Sequence, residues 1–303
     1  MNILITGATG FFGSYITHRL LSDGHKIFIL KRSFSNIERI DTIINDIISY
    51  NIDHVPIERI FLKNKIDIII HTATNYGKSN TQINEVIESN VVLPLKLLEL
   101  LAENKGTAFI NTDTFFNNTN AANYGYLNSY ALSKKYFLEL ASNFSEQKRL
   151  RFINMRLEHL YGPNDDISKF TMEIVLKLLS NVDSINLTLG KQKRDFIYVL
   201  DVVEAYCSVL DKINDIEDLI SNFQVGRGVT ETIEEFVTLV KQMTGANTKL
   251  NFGAIPYRKN EIMDSLADNG PLLKLGWESK IGLRDGIGLI IKSIQEKKKE
   301  QCE

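Results

Sequence analysis

Asn2-Ile-Leu-Ile-Thr6, then Gly7-Ala-Thr-Gly10-Phe-Phe-Gly13, then Ser14 to Ser22 and Lys26-Ile-Phe-Ile-Leu30, is the stretch that decides the fold. The first five residues read as a short buried strand, the glycines as a tight turn, Ser14–Ser22 as an amphipathic helix and Lys26–Leu30 as a returning strand. Strand, glycine turn, helix and strand within about 30 residues make the phosphate-binding half of a dinucleotide fold, in which glycines let backbone N–H groups and a helix N-terminus approach a pyrophosphate. The spacing is Gly-x-x-Gly-x-x-Gly, not the commoner Gly-x-Gly-x-x-Gly. Three glycines alone could be a structural turn; their place between an apolar strand and an apolar-periodic helix selects the cofactor reading.

The end of the second strand sets a cofactor preference. A site for NAD places Asp or Glu there to accept hydrogen bonds from the ribose 2′-hydroxyl. Here the residues are Lys31-Arg32-Ser33. Two cations and a hydroxyl suit a 2′-phosphate, with the Arg32 guanidinium able to make forked, charge-assisted contacts. NADPH is therefore expected; a solvated basic turn is the competing reading.

The 303 residues are 44% hydrophobic, ample for a core, and their net charge of -2 gives no reason to expect nucleic acid as a partner. Cys207 and Cys302 suggest neither a disulfide framework nor a metal site, so a reducing, cytoplasmic setting is expected. No apolar run approaches the roughly 18 residues that span a bilayer, and no signal-peptide pattern opens the chain, so no membrane partner is expected.

Further along, Ile47–Asp53, Lys65–His71, Thr107–Thr112 and Arg151–Met155 read as strands. Pro56–Asn64, Gln82–Asn104 (interrupted by Pro94) and Leu127–Ser145 read as helices. This alternation predicts an α/β doubly wound parallel sheet, a Rossmann fold, with ligands beyond the carboxyl ends of its strands. The dinucleotide domain is expected over residues 1–160, with a return at about 196–222. The remainder of 161–303 is expected to form a smaller mixed α/β substrate lobe, with helices near Ser168–Leu179 and Thr232–Thr244 and a strand at Ile185–Leu189, supplying the second wall of a cleft.

Tyr130-Ala-Leu-Ser-Lys134 is the strongest local chemical signal, because helical spacing puts tyrosine and lysine on one face. A phenol is a poor acid or base at neutrality, and a nearby ammonium lowers its pKa by favouring the phenolate. Such a pair is common by chance. Eighteen residues earlier, Asn111-Thr112-Asp113-Thr114 ends the fifth strand, where a hydroxyl would face the same cleft.

With these residues in place the sequence resembles the extended short-chain dehydrogenase/reductase family of nucleotide-sugar enzymes over nearly its whole length. The resemblance implies a cofactor loop of Gly7, Thr9, Gly10, Phe11, Phe12 and Gly13, an adenine contact at Asp53, and a fourth-strand segment Thr72, Ala73 and Thr74 beside the cofactor. Thr112, Tyr130 and Lys134 match the catalytic triad, Tyr130 and Lys134 also touching cofactor, and Asn90 matches a helix asparagine of the active-site architecture. Met155-Arg-Leu-Glu-His-Leu-Tyr-Gly-Pro163 and Arg194-Asp-Phe-Ile-Tyr-Val199, followed by Asp201, look like the family's segments around the substrate. Arg194 and Arg258 would then face a pyrophosphate, with Asn75, Thr114, His159, Lys169 and Tyr198 as further substrate-side candidates. Asp113 would either contribute to acid–base work or position its loop. His71 is expected to pack at a strand end and not to bind metal, Cys207 to lie in the core, and Phe115-Phe116 either in the core or over the sugar.

Departures within the family choose the reaction. Thr114 stands where 4,6-dehydratases have Glu, and Lys31-Arg32 departs from the acid expected of 4-epimerases that retain NAD. His71-Thr-Ala-Thr-Asn-Tyr-Gly-Lys78 and Thr112-Asp-Thr-Phe115 resemble the CDP-abequose and CDP-paratose synthases. By that resemblance the expected activity is NADPH-dependent reduction of the C4 keto group of a CDP-linked 3,6-dideoxyhexose for bacterial O-antigen synthesis. The family also implies a homodimer through the helices near Gln82–Asn104 and Leu127–Ser145. A 4-epimerase with retained NAD is the alternative, and a non-catalytic NADP sensor on the same fold is a remote one.

Overall fold

The computed structural model describes residues 1–78, 81–117 and 128–300. The chain runs β1 (Asn2–Thr6), α1 (Phe11–Ser22), β2 (Lys26–Lys31), β3 (Ile48–Asn51), α2 (Ile57–Lys63), β4 (Ile68–His71), α3 (Ile83–Ile87), α4 (Leu93–Glu103), β5 (Ala108–Thr114), α5 (Asn128–Lys148) and β6 (Arg151–Leu157). It continues through β7 (His159–Tyr161), α6 (Phe170–Leu179), β8 (Ser184–Asn186), β9 (Lys193–Arg194), β10 (Phe196–Tyr198), α7 (Val199–Asp211) and β11 (Ile220–Val225). The last elements are β12 (Glu231–Thr232), α8 (Ile233–Thr244), β13 (Lys249–Asn251), β14 (Asp264–Ser265), α9 (Gly270–Lys274) and α10 (Leu283–Glu300).

Two compact units form, the first holding the chain up to Arg156 with Tyr206–Phe223, the second Leu157–Ala205 and the chain from Gln224 onward. The first is organised by a seven-stranded sheet in the order β11-β6-β5-β4-β1-β2-β3, with β2 parallel to β1 and β3, and β4 parallel to β1 and β5. Strands covered on both faces lose the apolar–polar alternation, as in the uninterrupted apolar run Ile68-Ile-Ile70. Phe109, Phe137 and Phe152 pack between α5 and the sheet, with Phe109 and Phe152 stacked at 5.9 Å. The order reverses between β1 and β4, so the chain leaves their carboxyl ends in opposite directions and opens a crevice there.

Three boundaries differ from expectation in ways that matter to the site. Helix α1 begins at Phe11 rather than Ser14, because Gly10 takes the N-cap and the helix N-terminus lies inside the glycine motif. Strand β5 runs on to Thr114, whereas β4 ends at His71 opposite Asn111, leaving Thr112, Asp113 and Thr114 as an overhang on the β4 side. The long pattern around Pro94 is a helix carrying a π-helical turn over Glu88–Val92, with the Leu93 amide reaching back to the Glu88 carbonyl. A proline at 94 has no N–H for the Asn90 carbonyl and crowds it, and the wider turn relieves both problems where Asn90 sits.

In the second unit β10 pairs with β7, β12-β9-β14 form a three-stranded sheet, and β13 pairs with β8. Thr232 caps α8 with a reciprocal capping box to Glu235, a start signal carried by the sequence itself. The eighteen-residue α10 and strand β11 are elements the periodicity did not announce.

Candidate active site

Gly7 has φ +72°, and a Cβ there would lie 2.6 Å from the Ala73 nitrogen; one on Gly13 would lie 2.0 Å from the Gly7 carbonyl oxygen. The glycines thus let the β1–α1 turn close on itself and against the end of β4. Helix α1 has no side-chain cap and no acidic residue in its first turn, so its positive end is presented without a competing anion from the chain. Thr9, Phe11 and Phe12 share this turn, with Phe12 buried and packed on Tyr206 at 4.9 Å.

At the end of β2 the three basic-turn residues are used differently. Lys31 donates to Asn51 Oδ1 at 2.7 Å, and the Ser33 amide donates to Asp53 Oδ2 at 2.6 Å. That backbone hydrogen bond, joined by one from the Ser33 side chain, holds the exposed Asp53 carboxyl below its usual range. Asp53, expected on adenine, shapes the basic turn. The Arg32 guanidinium lies 5.7 Å from the Phe34 ring, and Phe34 is 75% exposed. An uncapped helix end and an exposed guanidinium beside an aromatic ring fit an anionic dinucleotide.

Thr72 Oγ1 donates to the Thr6 carbonyl at 2.7 Å, and Thr74 Oγ1 to the Thr72 carbonyl at 3.5 Å, so the β4 exit is stitched to β1. His71 is fully buried between Phe109 and Phe137, with Nδ1 2.8 Å from Thr6 Oγ1. Burial, with help from Lys134, holds its pKa well below the ordinary value, and it packs at the end of β4 as expected. Asn90 accepts the Asn75 amide at 2.8 Å and donates to the Asn75 carbonyl at 2.8 Å and to Ser133 Oγ at 2.9 Å. It fixes the Asn75 peptide against α5.

Tyr130 and Lys134 share a face of α5 and are both buried. The Tyr130 phenol hydrogen-bonds the Thr114 side chain, and its ring stands 5.0 Å from Tyr76 and edge-on to Phe116 at 6.3 Å. Thr112, the hydroxyl expected beside it, is 2.7 Å from the Tyr206 hydroxyl. Alternation does not decide this, since Thr112 and Thr114 share strand parity. Lys134 Nζ donates to the Thr112 carbonyl at 2.9 Å. Burial raises the phenol well above 10, followed by Tyr76, with the Thr114 bond opposing. The expected lowering of the phenol's pKa by a nearby ammonium is therefore outweighed by burial, and Tyr130 keeps its proton. Lys134 is itself lowered to about 8 by burial, against the pull of Asp113.

Asp113 is held from three directions. Asn117 donates to Oδ1 at 2.6 Å and Asn154 to Oδ2 at 3.0 Å, with Arg156 Nε 3.6 Å from Oδ2. Asn154 also donates to Asn222 and accepts from Asn111, so β5, β6 and β11 are tied by one polar ladder. Asp113 is thus tied to the end of its strand. Tyr206, Tyr76, Asn154 and Arg156 are site residues that the sequence did not single out; of these Tyr76 and Arg156 lay inside quoted motifs.

In the second unit Arg194 is buried, donating to Glu261 Oε1 at 2.6 Å and to the Lys193 and Ile262 carbonyls at 2.8 and 2.6 Å. The guanidinium expected on a pyrophosphate thus already holds a carboxylate. Lys169 Nζ lies 2.9 Å from the buried Asp165, His159 packs on Phe196 with its pKa lowered by burial, Tyr198 is buried against Tyr161, and Arg258 is exposed. Cys207 is buried; Cys302 lies outside the described residues. Among the described residues no helix is long and apolar enough to cross a membrane, and no cluster of His, Cys, Asp and Glu could hold a metal ion.

Residues 3–226 match the model of the NAD dependent epimerase/dehydratase family. The chain is 38% identical to a CDP-abequose synthase of Salmonella muenchen over 94% of its own length and 95% of the relative's, and 31% identical to one of Salmonella typhimurium over 96% and 98%. Among solved structures, the UDP-glucose 4-epimerase of Thermotoga maritima with UDP-glucose superposes with a TM-score of 0.83 at 23% identity, covering 98% of this chain and 99% of that one. The Thermus thermophilus UDP-glucose 4-epimerase in complex with NAD gives 0.80 at 22% identity, covering 97% and 99%; at these identities the likeness speaks to the fold. With the family model spanning most of the chain and near-complete coverage of relatives above 30% identity, the chain belongs to the NAD-dependent epimerase/dehydratase family.

Proposed function

We propose that this chain is an NADPH-dependent ketoreductase that reduces the C4 keto group of a CDP-linked 3,6-dideoxy-4-ketohexose to CDP-abequose or CDP-paratose, for bacterial O-antigen or other surface-polysaccharide synthesis. The observation that carries the reaction type is the buried, neutral Tyr130 phenol on Thr114, with the Lys134 ammonium one helical turn away. A phenol that keeps its proton is a donor, which is what an oxygen gaining negative charge requires. The near-full-length similarity to proteins named CDP-abequose synthase supports the sugar nucleotide.

NADPH, when bound, supplies the hydride. Tyr130 gives its proton to O4 as charge develops there, Thr114 hydrogen-bonds the same region, and Lys134 presents a cation to the nicotinamide ribose. Arg32, stacked on Phe34, takes the 2′-phosphate, and the uncapped end of α1 takes the pyrophosphate. Lys31, Ser33, Thr72, Ala73 and Thr74 complete the cofactor's surroundings. On the substrate side we assign Asn75, and Arg258, His159, Lys169 and Tyr198 with Arg194, whose engagement by Glu261 makes it a conditional donor.

The reading includes a cytoplasmic homodimer. Leu132, Tyr136 and Leu140, four residues apart along α5, are 47%, 52% and 51% exposed and make an apolar stripe suited to a second copy.

The test is nicotinamide absorbance after adding the CDP-linked 3,6-dideoxy-4-keto sugar to protein with NADPH, with NADH and CDP-glucose as controls. Loss with NADPH and the keto sugar alone is expected, and the C4 configuration of the product then names it. No loss, with epimerisation of an intact nucleotide sugar and tightly held nicotinamide, would replace this reading by a 4-epimerase.

A further inference from the structure

Tyr206 is fully buried, comes from α7, and touches two parts of the first unit that are far apart in sequence. Its ring lies 4.9 Å from Phe12, in the first turn of α1. Its hydroxyl lies 2.7 Å from Thr112 Oγ1. Thr112 opens the part of β5 that overhangs β4, where the ladder between the two strands has ended at the His71–Asn111 pair. A strand end without a neighbour on one side needs another anchor if side chains beyond it are to hold their geometry. Asp113 supplies one through Asn117, Asn154 and Arg156, and the Tyr206 hydroxyl on Thr112 supplies another. The same residue that bonds Tyr206 through its hydroxyl accepts Lys134 Nζ on its carbonyl at 2.9 Å, and Thr114, two residues on, carries the hydroxyl that meets Tyr130.

We propose that Tyr206 is a positioning residue for the reduction: by holding the Thr112 hydroxyl it fixes the peptide whose carbonyl seats the Lys134 ammonium, and through its ring it braces the cofactor turn at Phe12. This rests on the ketoreductase reading for its kinetic consequence and on the structure alone for its effect on Lys134. The two contacts are separable. The Tyr206 hydroxyl serves Thr112 and Lys134; the ring serves Phe12.

Tyr206→Phe keeps the ring and removes the hydroxyl, while Thr112→Val removes the other half of the same bond without touching α7. Both variants are checked for native circular dichroism, and each covers for the other if one fails to fold. The first readout does not need turnover: in protein labelled with carbon-13 lysine, the Lys134 ε-methylene is assigned by its loss in Lys134→Met and titrated with pH. A cation that loses its carbonyl acceptor inside the protein is less stabilised, so the Lys134 midpoint moves down in Tyr206→Phe and by the same amount in Thr112→Val. Thr112→Ser, which keeps a hydroxyl, restores the original midpoint. In turnover assays each variant loses about tenfold in kcat with little change in the Kd for NADPH, and the double variant loses no more than either alone, as expected when two changes break one interaction. Tyr206→Leu additionally weakens NADPH binding.

An unchanged Lys134 midpoint in both variants would overturn the proposal, as would losses in kcat that multiply in the double variant. If the wild type turns over no keto sugar while the Lys134 midpoint still moves as stated, the ketoreductase reading fails and the role of Tyr206 at Lys134 stands.

Discussion

The Tyr130 phenol meets the hydroxyl of Thr114, while the hydroxyl of Thr112, two residues earlier on the same strand, meets Tyr206. Both threonines lie near the carboxyl end of β5, and the contact each makes separates their roles. In the proposed reduction Thr114 is placed to act on the oxygen that Tyr130 protonates. Thr112 works through its backbone carbonyl, which holds Lys134.

Removing the proton donor should therefore be much worse than removing its neighbour. Tyr130→Phe is expected to lower kcat by about 10²–10⁴ with NADPH binding preserved, the usual scale of general acid help. Thr114→Val should cost about tenfold to a hundredfold, more than Thr112→Val. Steady-state rates paired with NADPH fluorescence titrations check both; a Tyr130→Phe enzyme within a few-fold of the wild type would remove Tyr130 from the acid's role.

Lys134 gives the pH dependence its sign. Its pKa in the fold is about 8, lowered by burial, while an unfolded lysine titrates near 10.4. Activity that needs the cation should fall as pH rises through about 8. For stability, the unfolded chain holds more protons than the folded one between these values, so the fold gains stability as pH rises and is penalised below the folded pKa. Melting curves of the wild type and Lys134→Met between pH 7 and 10 test this: the wild type should gain relative to the variant as pH rises. Parallel curves would mean that Lys134 titrates normally.

What the sequence made readable here is what is local. The glycine turn, the basic residues after β2 and the Tyr130–Lys134 spacing each depend on residues within a turn or two, and each lies where its pattern placed it. Which threonine meets the phenol is not decided by alternation, since both share strand parity. The bond from Thr112 to Tyr206 spans 94 residues and the pairing of Arg194 with Glu261 spans 67, so no local pattern carries either. The phenol's high pKa escaped for the same reason: spacing gives the distance to a lysine along a helix, whereas burial is set by everything packed around it.

The basic turn yields a prediction about cofactor choice. Arg32 carries its guanidinium on the exposed Phe34 ring, and the Asp53–Ser33 hydrogen bond fixes the turn beneath. Arg32→Ser should weaken NADPH binding by about tenfold to a hundredfold and leave NADH nearly unchanged, because only the 2′-phosphate loses a charge-assisted partner. Fluorescence titration with both nucleotides measures the ratio. Equal losses for both would show that Arg32 serves the adenosine in general.

A last prediction concerns the packing of the second unit. Tyr161 is fully buried, with its ring edge-on to Phe196 and Tyr198, and its hydroxyl has no hydrogen-bond partner among the described residues. A Cβ on Gly286 of α10 would lie 2.2 Å from that hydroxyl. Alanine is the better helix former by about 1 kcal/mol, so propensity alone would favour Gly286→Ala. The contact outweighs it: a ring held on two sides cannot swing away, and overpacking of this kind costs about 1–3 kcal/mol. Gly286→Ala should therefore melt below the wild type. Tyr161→Phe removes an unpaired hydroxyl and should cost little, and in the Gly286→Ala background it should recover most of the loss by removing the atom in collision. Calorimetry on the four proteins decides it; a double variant no more stable than Gly286→Ala alone would place the strain elsewhere on α10.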